Sequence, residues 1–160
     1  MNKSFFILSL VASSLVVAAQ APKIEFTEYD LDNGLHAILH QDNSTPIVAV
    51  SVLYHVGSKN ENPERTGFAH FFEHLLFEGS ENINRGEFDK YITNAGGTNN
   101  ANTSNDRTFY YEILPSNQLE LGLWLESERM MHAKIDPEGV ETQREVVKEE
   151  KRQRMDNQPY

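Results

Sequence analysis

His70, Glu73 and His74 stand three and four positions apart, a spacing that stacks all three on one side of an α-helix, with Cβ atoms about 5–6 Å apart. Around them, Phe68, Phe71, Phe72, Leu75 and Leu76 follow the i, i+3, i+4, i+7, i+8 order of a core-facing stripe. At about 100° per residue the mean direction of that stripe is nearly opposite to the ionisable face. A helix from about Thr66 to Phe77 is therefore expected to bury its apolar side, and ionisable groups on a buried helix need partners. Two imidazoles one turn apart can grip a single metal ion, and a carboxylate just before the second can reach a water on it. The competing reading is a surface helix with two solvated histidines and a glutamate. Five large apolar neighbours within so few residues weigh against it.

A catalytic zinc ion usually has three protein ligands and one open position. The last helical stretch offers Glu141, Glu145, Glu149 and Glu150. Its apolar residues Val140, Val146 and Val147 define a stripe on which Glu150 falls, four residues after Val146 and three after Val147. Glu141, Glu145 and Glu149 line a different, outward face, where Glu145 can pair with Lys148. An inward glutamate is costly unless paired or bound to a cation, so Glu150 is the expected third ligand. A salt-bridged or frayed helix end is the alternative.

The two ends of the chain are unlike the rest. Lys3, the apolar run Phe5 to Ala19 and the Ala19-Gln20-Ala21 pattern read as a cleaved signal peptide over residues 1–21. The run is shorter than the roughly 20 residues a bilayer needs, so no stable membrane anchor is expected. The formal charge of −10 becomes −11 once Lys3 is removed, with 13 basic and 24 acidic residues left. That acidity disfavours nucleic acid and anionic membranes. The absence of cysteine excludes disulfides, thiol nucleophiles and thiolate ligands. At the other end, Asn157 to Tyr160 reads as a loop leading into more protein. Residues 22–160 are thus expected to be one domain truncated at its C-terminal end.

Asp32-Asn33-Gly34 between two strand-like segments, Phe26 to Leu31 and Leu35 to Gln41, is hairpin chemistry. The β-branched run Ile47 to Val56 reads as a central strand covered on both faces. A helix from Glu87 to Asn94 ends at Gly96-Gly97, followed by strands Thr98 to Ser104 and Thr108 to Leu114. Ser116 is placed to cap a helix reaching Met131. Asp136-Pro137 is placed to open the last one, to about Met155. Strands first and helices gathered later imply an α+β layered domain, its mixed, mostly antiparallel sheet carrying helices on one face.

At its motifs the chain resembles the pitrilysin/insulysin-type zinc peptidases, a group that includes the mitochondrial processing peptidase β-subunit and exported bacterial peptidases. The likeness rests on Asn33-Gly34-Leu35, on Gly57 through Gly79 with its H-x-x-E-H core at His70–His74, on Gly96 through Ser104 with Asp106-Arg107-Thr108, and on Gln143 through Glu150. It implies His70 and His74 as ligands of one zinc ion, Glu73 as general base, and a distal glutamate as third ligand. That glutamate matches Glu150, 76 residues after His74. It also implies that Asn100, Ala101, Asn102 and Thr103 form an edge strand that binds substrate backbone by β-augmentation. Some members carry a second glutamate where this chain has Gln143, which can still hydrogen-bond in the site but cannot act as a base. Asn102 occupies a position that is often aromatic.

The resemblance thus implies a zinc-dependent endopeptidase of extended peptides or proteins, exported to the periplasm or secreted. Zinc would polarise the scissile carbonyl and acidify a water while Glu73 carries the proton. Active members have a second, related half, supplied in the same chain or by a partner subunit, without which this piece is expected to be inactive. The alternative is a non-catalytic relative that serves as a structural or substrate-binding partner. Such relatives usually lose motif residues, and all three are present here.

Overall fold

The computed structural model describes residues 23–156, so the expected signal peptide and the final four residues lie outside the described residues. Two compact units meet in the sequence between Asn43 and Ser44.

In the first unit, β1 (Thr27–Asp30) and β2 (His36–Leu39) pair antiparallel, with Thr27 opposite Leu39 and Asp30 opposite His36. Gly34 takes φ 87°, a left-handed conformation with little cost only for glycine. The Asn33 side chain closes the turn by accepting the Leu35 N–H at 3.1 Å.

In the second unit, β3 (Ile47–Tyr54), β4 (Thr98–Thr103) and β5 (Thr108–Pro115) form an antiparallel sheet in the order β3-β5-β4. Four helices accompany it: α1 (Phe68–Leu75), α2 (Phe88–Asn94), α3 (Leu119–Met131) and α4 (Pro137–Asp156). This is the expected α+β arrangement, with α1, α2 and α3 packed against the strands. Cross-strand partners share a face, so Val50, Glu112 and Leu114 point inward with Tyr110, while Ile47, Leu53 and Ile113 point outward.

Four expectations are corrected. Among the described strands the central one is β5, not β3. The β3 run buries one face only, and Ile47 and Leu53 stay 55% and 56% exposed. An apolar run shows that at least one face is covered and cannot show that both are. On α1, Leu75 is buried, but Phe68 and Phe72 remain nearly half exposed, because they line clefts beside the helix. Ser116 does not cap α3. It starts a short 3₁₀ turn, Ser116–Gln118, and its N–H is held by the Pro46 carbonyl. On α4, Val146 is exposed, and the inward seam is Val140, Gln143, Val147 and Glu150. Asp136 does cap α4 as expected, accepting the Gly139 N–H at 2.8 Å.

The core contains ionisable groups that the apolar pattern did not show. The Arg129 guanidinium lies 4.2–4.4 Å from the ring centres of Phe77, Phe88 and Tyr110. Glu126 approaches it at 3.2 Å and Glu112 at 3.7 Å, and all three are buried. One cation cannot neutralise two buried carboxylates. Burial, reinforced by the adjacent Glu126 carboxylate, pushes Glu112 up to about 9, against the pull of Arg129. At neutral pH Glu112 is thus protonated.

Because the folded-state value is raised, the stability contributed by Glu112 is complete below its ordinary value of 4.5 and is lost as pH climbs through about 9. Thermal unfolding followed by circular dichroism should show stability falling over that window, by at most about 1.4 kcal/mol per pH unit. Glu112→Gln should flatten the slope, and Arg129→Met should cost about 3–5 kcal/mol at neutral pH.

Candidate metal centre

The helix bearing the histidines is short and is held at its start by a side chain. Gly67, at φ 98°, turns the chain into α1. The Glu61 carboxylate accepts the N–H groups of Gly67 and Ala69, both at 2.7 Å. A carboxylate there satisfies donors that have no helical partner and suits the positive end of the helix dipole. The next turn presents His70, Glu73 and His74.

α4 packs against α1 and brings Glu150 to both rings. The His70 and His74 Nε2 atoms are 3.2 Å apart, with the rings edge to face at 90°. Glu150 places Oε2 3.4 Å from His70 Nε2 and Oε1 3.5 Å from His74 Nε2. Among the described residues this is the one cluster of at least three such groups with ligand atoms converging, all within 4.8 Å of one another. Its chemistry and spacing fit zinc. Two imidazole nitrogens and a carboxylate oxygen are a zinc donor set, and tetrahedral bonds of about 2.0–2.1 Å separate neighbouring ligands by roughly 3.3–3.4 Å. Glu141, Glu145 and Glu149 are exposed and pair along their own helix, with Arg144, Lys148 and Arg152 respectively.

Glu73 is outside that cluster. Its Oε2 accepts the Thr103 hydroxyl, and its backbone carbonyl accepts the Tyr110 hydroxyl at 3.3 Å. The carboxylate borders a cleft of about 460 Å³ whose walls include Phe68, Phe72, Leu76 and Tyr110. Within the sheet of described strands, β4 is an edge strand. Asn100 and Asn102 face outward and are exposed, whereas Ala101 and Thr103 face α1. Asn100 Oδ1 also accepts the Ala101 N–H at 2.8 Å.

Gln143 hydrogen-bonds within the site, as its helix face implied, with Oε1 3.1 Å from His74 Nδ1. Its Nε2 donates to Glu78 Oε1, and Glu78 is ion-paired to Arg85. Glu78 and Arg85 went unnoticed in the sequence. The available signal was that Glu78 follows His74 by four residues, one helical turn.

Residues 36–159 match the family model described as Insulinase (Peptidase family M16), and the chain belongs to that family. It is 37% identical over 157 residues to the zinc protease PqqE of Helicobacter pylori, covering 98% of this chain and 35% of the relative. It is 30% identical over 126 residues to the mitochondrial-processing peptidase subunit beta of Blastocladiella emersonii, covering 79% of this chain and 27% of the relative. The crystal structure of a protease from Helicobacter pylori superposes with a TM-score of 0.81 at 37% identity, over 86% of this chain and 33% of that one. The chain therefore spans about a third of the length of these relatives.

If Glu150 rather than Glu149 completes the centre, Glu150→Gln should weaken zinc binding by at least about tenfold. Glu149→Gln should leave it within experimental error. Competition with a chromophoric chelator measures both.

Proposed function

We propose that this protein is a zinc-dependent endopeptidase, or the part of one that carries its metal centre. The observation that carries the reading is the approach of His70, His74 and Glu150 to within 4.8 Å across two helices. Membership of a family whose relatives are named zinc proteases supports it.

In this reading His70, His74 and Glu150 hold one zinc ion. When bound, zinc supplies a Lewis acid that polarises a carbonyl and acidifies a water. Glu73 is the general base. Thr103 engages its Oε2, which orients the carboxylate and leaves Oε1 to take a proton from the attacking water and return it to the leaving amine. The Asn100–Thr103 edge receives an extended peptide by backbone pairing, with the Asn100 side chain released from the Ala101 N–H so that this donor can turn to substrate. Aromatic side chains wall the cleft beside Glu73.

We also propose that residues 1–21 direct export to the periplasm or beyond. Further peptidase-like chain, in cis or from a partner subunit, completes the substrate cleft, so that residues 22–160 alone turn over little peptide. The relative named as a subunit beta and the relatives' threefold greater length support this.

Glu73→Gln should retain zinc and lower cleavage of a fluorogenic peptide by about 10²–10⁴-fold, measured in the protein joined or mixed with its complementing half. Turnover at the unmodified rate in that variant would exclude Glu73 as the base.

A further inference from the structure

A glutamine amide has one accepting and one donating end, and its direction is set by its neighbours. Gln143 lies between two of them. Its Nε2 faces Glu78 Oε1, and its Oε1 is 3.1 Å from His74 Nδ1. A carboxylate only accepts, so Gln143 must turn its NH₂ towards Glu78. Oε1 is then left facing the ring, and the ring nitrogen opposite it must carry the proton. A neutral imidazole protonated at Nδ1 has its lone pair on Nε2. Nε2 is the atom of His74 that faces His70 and Glu150.

Glu78 is itself clamped. It is buried, and Arg85 Nε pairs with its Oε2. The same guanidinium reaches Asp136 Oδ1 at 3.0 Å and Glu138 Oε1 at 2.7 Å. Asp136 is the cap of α4. The clamp lies against bare backbone in that first turn, since a Cβ on Gly139 would come within 3.1 Å of Arg85 Nη2 and 3.3 Å of Glu78 Oε2. One arginine thus ties the segment after α1 to the start of the helix that carries Gln143 and Glu150.

We infer that Glu78, held by Arg85, is a positioning residue: it fixes the amide of Gln143 and, through it, the Nδ1–H tautomer of His74. This inference rests on the metal-site reading of His70, His74 and Glu150, and it is separable from that reading because the Nδ1 proton faces Gln143 in the metal-free protein whether or not Glu150, 3.5 Å from Nε2, also holds a proton there. The orienting partner of a metal-binding histidine typically tunes affinity by about 10–100-fold.

The test combines long-range ¹H–¹⁵N NMR of the metal-free protein with zinc affinity by chelator competition. The unmodified protein should show His74 protonated at Nδ1. Glu78→Lys replaces the acceptor by an ammonium donor, so Gln143 should reverse, His74 should move its proton to Nε2, and zinc affinity should fall by about 10–100-fold. Adding Gln143→Glu to Glu78→Lys supplies a carboxylate that accepts from both the ammonium and the ring. That pair should restore the Nδ1–H tautomer and most of the affinity, a rescue that a merely structural role would not give. The inference is overturned if the unmodified ring carries no proton at Nδ1, if Glu78→Lys keeps the original protonation of Nδ1 and the original affinity, or if the double variant binds no better than the single one. The tautomer of the unmodified protein needs no variant, so poor folding of Glu78→Lys leaves the question decidable. Failure of the unmodified protein to bind zinc, with the Nδ1–H tautomer present, would overturn the metal-site reading instead.

Discussion

Two imidazoles and a carboxylate facing one another across a helix–helix seam are unfavourable company unless something positive joins them or protons are shared between them. In this protein the three groups are held by separate devices. Glu61 caps the start of α1, Asp136 caps the start of α4, and Arg85 connects Asp136 to Glu78 behind His74. Each device satisfies polar groups that would otherwise be left without partners, and each fixes one end of the seam.

The inner face of the sheet supports the same region from the other side. Thr103 at the end of β4 and Tyr110 in β5 both bond to Glu73, one at its carboxylate and one at its backbone. Below them, the buried Glu112, Glu126 and Arg129 cluster sits among aromatic rings. The two ionic networks differ in character. The Glu78–Arg85 network reaches the seam through Gln143 and bears on His74. The Arg129 network lies within the core, where protonation of Glu112 lets two carboxyl groups coexist with one guanidinium.

The chain carried much of this in its periodicity. The common face of His70, Glu73 and His74, the separation of Glu150 from Glu149, and the inward side of Gln143 all follow from 3.6 residues per turn. The hairpin at Asn33-Gly34 and the Asp136-Pro137 helix start follow from local turn and cap chemistry, in which the partners are close in sequence. The errors share a cause. The exposure of Phe68 and Phe72, the edge position of β3 among the described strands and the outward turn of Val146 depend on which surfaces meet, and a stripe of apolar residues says only which surfaces could. The Arg129 cluster was hidden for a related reason: charged residues at inward positions read as irregularities until their distant partners are known.

By itself, then, the sequence determined the local geometry of α1 and α4, the donor types available to a metal, and membership of the insulinase peptidase family. Helical period and side-chain chemistry are properties of neighbours along the chain. Only the tertiary structure decided that α1 and α4 approach, that Glu150 lies 3.4–3.5 Å from both rings, and that Arg85 and Glu78 stand behind Gln143. Those contacts join residues that are far apart in sequence, and their free energy is set by packing and desolvation of whole surfaces, which no spacing rule contains.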